Sequence, residues 1–412
     1  MTNRVVITGL GALTSVGNTP EASWQSLIAG RSGVDCITLF DASSFAVQIA
    51  GEVRDWDPTG VLPRKEVRRR DRYQLFGQAV VNQAVAQAGL TFDDERARER
   101  AGVVIGSAIG GMTSFSDELH TIDTHGPRRM SPFGIPSFMT TTASSTASMT
   151  LGITGPSYIL TSACATGADC IGHAFDQIRL GRKDVMLAGA AEAPILPNAV
   201  AGFDRLGACS HNARTPQRSS RPFDAEREGL VIAEGGAVIV LESLEHAQAR
   251  SAEILAELVG YGASSDAFHM IAPHPQGRGA AQAIRGALAD ANVDPTDVDY
   301  INAHGTATRL NDLMETAAIK DVFGENAHDI PVSSTKSMTG HAMGASAAME
   351  IVFCVLALRD QIVPPTINLD YPDTDCDLDY VPHEARDAQL DVIVSNAFGF
   401  GGHNAVLALK RF

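Results

Sequence analysis

Positive charge is in short supply in this chain. Its 412 residues carry 32 Lys and Arg against 48 Asp and Glu, a formal net charge of -16, and that balance argues against a general nucleic-acid binder. Cysteine is sparse and unpaired in pattern. The six, at positions 36, 164, 170, 209, 354 and 376, include no C-x-x-C spacing, so no zinc or disulfide framework is encoded and reduced thiols in a cytosolic compartment are expected. No apolar run reaches the roughly 18 residues a membrane span needs. The first residues lead straight into Val5-Val6-Ile7-Thr8 without a charged-then-apolar leader pattern. A cytoplasmic protein working away from membranes and nucleic acids is the expectation.

What the chain does contain is core-forming material. Hydrophobic residues make up 44% and charged residues 19%, a globular balance, and the length exceeds what one hydrophobic core usually serves. Short β-rich runs alternate with helical patterns, predicting an α/β layered protein. Predicted strands are Arg4–Thr8, Ala101–Gly106, Tyr158–Ala163, Val185–Gly189 and Ala237–Glu242, then Glu257–Gly262, Val298–Ala303, Pro331–Ser334, Val392–Ser395 and Ala405–Leu409. No sequence repeat is visible, yet both sets show the same alternation. A helical run over Glu245–Glu253 is expected to link two halves, 1–250 and 251–412. Three stretches, Thr124–Pro136, Cys209–Pro222 and Ala263–Gly279, are long for connections and read as functional loops or disorder. Gly9-Leu10-Gly11-Ala12-Leu13-Thr14 imitates a dinucleotide-binding turn but places Thr where a third small residue belongs, so a plain strand-to-loop turn is expected.

Three residues carry chemistry. In Ser162-Ala163-Cys164-Ala165-Thr166-Gly167 a strand pattern ends and a helical one begins, with Ala168, Ile171, Phe175 and Ile178 on one face. Cys164 thus sits at the turn into a helix, where first-turn N–H groups favour a thiolate and would lower the thiol pKa. A lone cysteine is more often a small buried hydrophobe, and two histidines alter the balance. His304 follows the run Val298–Ile301, in Asn302-Ala303-His304-Gly305-Thr306-Ala307-Thr308. His341 closes Lys336-Ser337-Met338-Thr339-Gly340-His341, after Pro331–Ser334. All three follow predicted strands, where α/β proteins gather functional side chains. The other ten histidines lack such a setting and read as structural or surface residues.

These motifs, in this order and separation, resemble those of the elongating β-ketoacyl-[acyl-carrier-protein] synthases of the thiolase-like fold, most of all the type II enzymes of bacterial fatty-acid synthesis. The resemblance runs from Val6-Ile7-Thr8-Gly9-Leu10-Gly11 to Phe398-Gly399-Phe400-Gly401-Gly402. It implies a five-layered α-β-α-β-α fold of two similar halves, a homodimer, and no cofactor beyond the phosphopantetheine arm of acyl carrier protein, which brings the substrates. It implies Cys164 as the acyl-accepting nucleophile, backbone N–H groups of Cys164 and Phe400 as the oxyanion hole, His304 and His341 as donors to the malonyl carbonyl, and Lys336 as electrostatic support. Thr306 and Thr308 would bind the arm, with turn capping as their plain alternative. Phe400 would gate the acyl pocket on a loop that glycines 399, 401 and 402 let move, and Ile109 would line that pocket or be an ordinary core residue. Glu350 would give buried polar support, with room for a monovalent cation near Asn302, Glu350 and Asn396. Arg64, Lys65, Arg68 and Arg69, on their own either a solvated helix face or a docking patch, would dock the acidic carrier.

The chain departs from the family pattern in three places. Arg309 replaces a usual Pro, leaving the Thr306–Thr308 loop less constrained. His403 replaces a common Thr, and Gly207 stands where a carrier-contacting Arg is usual, with Arg205 two places earlier. A thiolase would carry a second cysteine in the 399–404 loop, which has none. A chain-initiating synthase would have Asn in place of His341, and a non-catalytic chain-length partner would lack Cys164. A type II polyketide or specialised-lipid ketosynthase would share every catalytic residue and stays open as the alternative.

Overall fold

A computed structural model describes residues 2–412. Among these, ten strands form one sheet: β1 (Val5–Leu13), β2 (Ala101–Gly106), β3 (Ser157–Tyr158), β4 (Val185–Glu192), β5 (Gly235–Ser243), β6 (Ala256–Ser265), β7 (Tyr300–Asn302), β8 (Val332–Ser333), β9 (Val392–Gly399) and β10 (His403–Lys410). The spatial order is β8-β7-β9-β10-β6-β1-β5-β4-β2-β3. Read outward from the centre, one side runs β1-β5-β4-β2-β3 and the other β6-β10-β9-β7-β8. The topology is the same on both sides, and so are the strand senses: β2 is parallel to β3 and β4 as β7 is to β8 and β9, and the β4–β5 and β9–β10 pairs are both antiparallel. Only Val5–Ile7 of β1 pairs with Ala256–Leu258 of β6 across the middle. The chain is duplicated in structure although no repeat survives in its sequence.

Six helices build the layers: α1 (Arg72–Ala88), α2 (Thr142–Leu151), α3 (Thr166–Arg179), α4 (Arg278–Ala291), α5 (Arg309–Phe323) and α6 (Ser346–Asp360). Helices α1 and α2 cover the outside of the first half-sheet. Helix α4, with α5 beside it, covers the outside of the second. Between the half-sheets lie α3 and α6, packed on each other and on both. Thirteen of the fifteen residues of α6 are buried, Ser346 through Leu358, as a helix enclosed on all sides requires. The order is α-β-α-β-α. Both central helices start beside a candidate catalytic residue, α3 after Cys164 and α6 after His341.

Several predicted boundaries move. Residues 9–13 are not a turn but the continuation of β1. A Cβ on Gly9 would fall 2.2 Å from the Ala84 carbonyl oxygen, and one on Gly11 1.9 Å from that of Val80; the glycines let α1 lie directly on the strand. Strand β3 stops at Tyr158, short of Ala163, and β7 and β8 are shorter than predicted. The linking helix is Leu244–Ala249. The stretch 124–136 holds the end of a helix, Met112–His125, and the start of another, Gly134–Phe138, while 263–279 begins inside β6 and ends inside α4. No helix among the described residues is long and apolar enough to cross a membrane.

Candidate active site

Cys164 lies in a tight turn, Ala163–Ala165, directly before α3, not at a strand end. Ala163 takes the left-handed conformation at φ 51°, a strained choice for a residue with a Cβ. Local bonds hold it. Thr166 Oγ1 donates to the Ala163 carbonyl at 2.7 Å and accepts from the Ser162 N–H at 2.9 Å. Ser162 Oγ donates to Asp169, whose other oxygen accepts from Tyr261 on β6 at 2.6 Å. The Cys164 turn is therefore braced by β6, from the other side of the sheet's centre.

His341 Nε2 is 3.0 Å from Cys164 Sγ, and its Nδ1 is 3.0 Å from Ser346 Oγ, the first residue of α6. Its backbone is clamped by bonds to Val231 and Ala233. The His304 ring meets that of His341 edge-on, with centroids 5.4 Å apart. Glu315 of α5 accepts the N–H groups of His304 and Gly305, both at 2.8 Å, and takes a third bond from Asn396 Nδ2. Lys336 and Glu350 form a buried ion pair beneath the three. The ligand atoms of Cys164, His304 and His341 lie within 4.8 Å of one another, a metal-capable spacing; the buried Lys336 ammonium opposes a cation there.

Burial sets the charge state. It pushes the Cys164 thiol up to about 11, against the opposite pull of Lys336 and of the Phe400 and Cys164 N–H groups, with Glu192 adding to the rise. The expected lowering by the helix start is overturned: the nearby N–H groups act downward, but burial of the thiol outweighs them. Burial also drives both imidazoles well below their ordinary range, with Lys336 acting in the same direction. Thiol and both rings are neutral near pH 7.

Cys164, His304 and His341 line one cavity of about 370 Å³, with Thr306, Thr308, Phe398 and Phe400. The Thr306 and Thr308 hydroxyls are 2.9 Å apart. The Phe400 loop crosses the Cys164 turn closely: a Cβ on Gly399 would fall 2.7 Å from the Ser162 carbonyl oxygen. Arg309 opens α5, and its carbonyl accepts from Arg227 Nη2 at 3.3 Å. Ile109 lies outside this lining, half-buried. The basic residues Arg64, Lys65, Arg68 and Arg69 line a separate surface depression, and Arg69 is partly engaged, stacked on Phe133 at 4.1 Å and paired with Glu66. His403 is exposed. Of the histidines read as structural or surface residues, His269 proves to line the cavity.

Sequence reasoning missed Glu192, Glu315 and Ser346. Glu192 ends β4, fully buried, accepting from Ser107 and from the Ala108, Ile109 and Gly344 N–H groups, yet burial lifts it to about 8. A single acid closing an otherwise apolar strand was its signal; Glu315 and Ser346 carry none.

Family models for the N-terminal and C-terminal domains of beta-ketoacyl synthase match residues 2–247 and 255–370, and the chain belongs to the β-ketoacyl synthase family. The 3-oxoacyl-[acyl-carrier-protein] synthase 2 proteins of Coxiella burnetii and Synechocystis sp. are each 47% identical to it, over 408 and 409 residues, 99% of this chain and 98% of theirs. A beta-ketoacyl synthase structure from Burkholderia phymatum STM815 superposes with a TM-score of 0.92 at 35% identity, covering 100% of both chains. A type II polyketide ketosynthase, solved with its acyl-carrier protein and bound to the hexaketide, gives 0.93 at 35% identity, again over 100% of both. The fold is thiolase-like, and the resemblance read from the motifs is borne out.

Proposed function

We propose that the protein is a β-ketoacyl-[acyl-carrier-protein] synthase of fatty-acid elongation, condensing a Cys164-bound acyl chain with malonyl-carrier protein to give 3-oxoacyl-carrier protein and CO2. The observation that carries this reading is Cys164 Sγ at 3.0 Å from His341 Nε2, beside His304, at one cavity. In the first half-reaction the neutral thiol passes its proton to His341 Nε2 as sulfur attacks the incoming thioester, and the departing pantetheine thiol takes it up. The Cys164 and Phe400 N–H groups stabilise the oxyanion. In the second, malonyl loses CO2, and the electron pair moves into an enolate whose oxygen accepts from the imidazole N–H groups. The enolate carbon attacks the acyl thioester, and the Cys164 thiolate leaves and takes up the one proton that the condensation draws from solvent. His341 must present a lone pair in one step and an N–H in the other. The Ser346 hydroxyl serves both tautomers, because it can accept from Nδ1–H or donate to Nδ1.

The support around this core is proposed on the same footing. Lys336 and Glu350 fix the local charge, and Thr306 and Thr308 guide the arm. Glu350 Oε2 and Asn396 Oδ1 are buried oxygens without hydrogen-bond partners, which leaves both free to serve the monovalent cation that the resemblance implies, while the Asn302 carboxamide is occupied by Ser395 and Tyr300. Arg64, Lys65 and Arg68 offer an acidic carrier the freer charges of the basic patch. Exposed Phe115, Leu119, Ile135, Met139 and Met149 favour a homodimer, and the repeated topology favours a division into halves near residue 250. A cytoplasmic location accords with the free thiols. The polyketide reading draws on structural neighbours at 35–37% identity, below the 45–47% shared with the 3-oxoacyl synthases.

Intact-protein mass after incubation with acyl-carrier protein, then malonyl-carrier protein, tests this directly. An acyl adduct on Cys164 that disappears as 3-oxoacyl-carrier protein forms is expected. Condensation that persists in Cys164→Ala would refute it.

A further inference from the structure

The cavity that reaches Cys164 is bordered by one group the condensation leaves unused. Among the described residues lining it, Arg309 is the single Lys or Arg. Its side chain is exposed at the first position of α5, and its guanidinium holds no ion pair among the described residues. The acid that feels its charge, Asp373, is already bound by Arg227 Nη1 at 2.7 Å. Arg227 Nη2 also donates to the Arg309 carbonyl at 3.3 Å, so the backbone is anchored while the side chain is left free. The two acids of the lining are engaged elsewhere. Asp266 accepts from Asn404 Nδ2 at 2.8 Å and the His274 N–H at 2.9 Å, and Glu228 from Ser210 Oγ and the His211 N–H. Exposed Leu206 and Leu310, with Ile271, stand in the same lining.

We propose that Arg309 forms an anion subsite at the cavity mouth that takes the phosphodiester of the carrier's arm, an inference that rests on the condensation reading. The arm is a chain of neutral amides with one permanent charge, the phosphodiester at its protein end. Its thioester must reach buried Cys164, so the phosphodiester stays at the exposed rim, and Arg309 is the exposed cation of the lining. A guanidinium binds such an oxyanion through two parallel N–H donors. Gly207 lines the same cavity without a side chain to offer, and Arg309 provides its one guanidinium. The apolar rim raises its worth by thinning the water around the ion pair.

The test compares two carrier-free donors of the same acyl chain, one on pantetheine and one on 4′-phosphopantetheine, with acylation of Cys164 followed by intact mass. The unaltered enzyme should prefer the phosphorylated donor, and Arg309→Ala and Arg309→Gln should each cut that preference about tenfold, through KM more than kcat, as the loss of one charge-assisted contact would. Arg309→Lys should restore part of it, being a point charge without the fork. Protection of Cys164 from iodoacetamide by free 4′-phosphopantetheine against pantetheine reads the same preference without turnover. An unchanged preference in Arg309→Ala and Arg309→Gln, with acylation intact, overturns the subsite alone. Failure of the unaltered enzyme to accept acyl groups even from acyl carrier protein overturns the condensation reading, and the subsite with it.

Discussion

Replacing Gly399 by alanine adds one methyl group where the glycine-rich loop crosses the nucleophile turn. That carbon would lie 2.7 Å from the Ser162 carbonyl oxygen, 3.0 Å from the Cys164 nitrogen and 3.3 Å from Ala163 Cβ. No flexible side chain is among these neighbours, so nothing can swing aside. Gly399 has φ -115° and ψ 158°, extended backbone that alanine adopts freely, and the substitution therefore acts by contact alone. Ordinary contact begins at 3.4 Å, so loop and turn must part by several tenths of an ångström. The Phe400 N–H is the next donor along the chain and moves with the loop. Oxyanion donors act over about 2.7–3.1 Å, and losing one costs about 10²–10³ in rate. Overpacking of this kind costs about 1–3 kcal/mol of stability, so acylation should suffer far more than folding. Rapid-quench mass analysis of acyl-Cys164 formation, beside urea denaturation, measures both. Acylation within about threefold of the unaltered rate, in a variant destabilised as expected, would show that Phe400 does not place the second donor.

The remaining predictions concern charge. With the Cys164 thiol pushed up to about 11, iodoacetamide alkylation of the free enzyme should climb about tenfold per pH unit from pH 7 to 9 without levelling, and a plateau below pH 8 would contradict a neutral resting thiol. Because the folded pKa is the higher one, the associated stability is full below the unfolded value of about 8.5 and is lost as pH rises toward 11, which alkaline denaturation curves should show against Cys164→Ala. Lys336→Met would strand Glu350, which burial already pushes up to about 7 beside its partner. A loss of about 3–5 kcal/mol is expected, less whatever protonation of the carboxyl relieves. The double variant Lys336→Met, Glu350→Gln should regain most of that stability but not malonyl decarboxylation. A single variant as stable as the parent in urea would show that the pair is not held as described.

The strand runs were legible because each is an apolar stretch bounded by breakers, and all ten have a counterpart in the sheet. Their ends were less so. Tyr158–Ala163 reads as strand, yet the ladder stops at Tyr158 because the following backbone serves the turn: the Ser162 N–H goes to Thr166 Oγ1 and the Ser162 carbonyl to the Ala165 N–H. The duplication was invisible for a different reason. A strand order demands only apolar faces of suitable length, which unrelated residues supply equally well, so topology can repeat after every residue has diverged. Gly9 and Gly11 show the converse, since a motif-like spacing proved to record the close approach of α1.

At the site, Cys164, His304, His341 and Lys336 were legible because each lies in a short motif at an element junction. The protonation state was not. A helix start beside Cys164 can be read from neighbouring residues, but burial is contributed by segments far along the chain, among them 341–346 and 399–400. Here the two effects oppose each other and the distant one is larger. That outcome suits the second half-reaction better than a thiolate would. In a pocket where thiol and imidazoles are neutral and Lys336 is hydrogen-bonded to Glu350, the proposed mechanism offers a malonyl carboxylate only uncharged donors for contact. Loss of CO2 converts that localised charge into a spread enolate facing two N–H donors. On the proposed mechanism, the burial that keeps Cys164 a thiol at rest would favour decarboxylation once the acyl chain is in place, and the cost would fall on acylation, where His341 at 3.0 Å would take the proton.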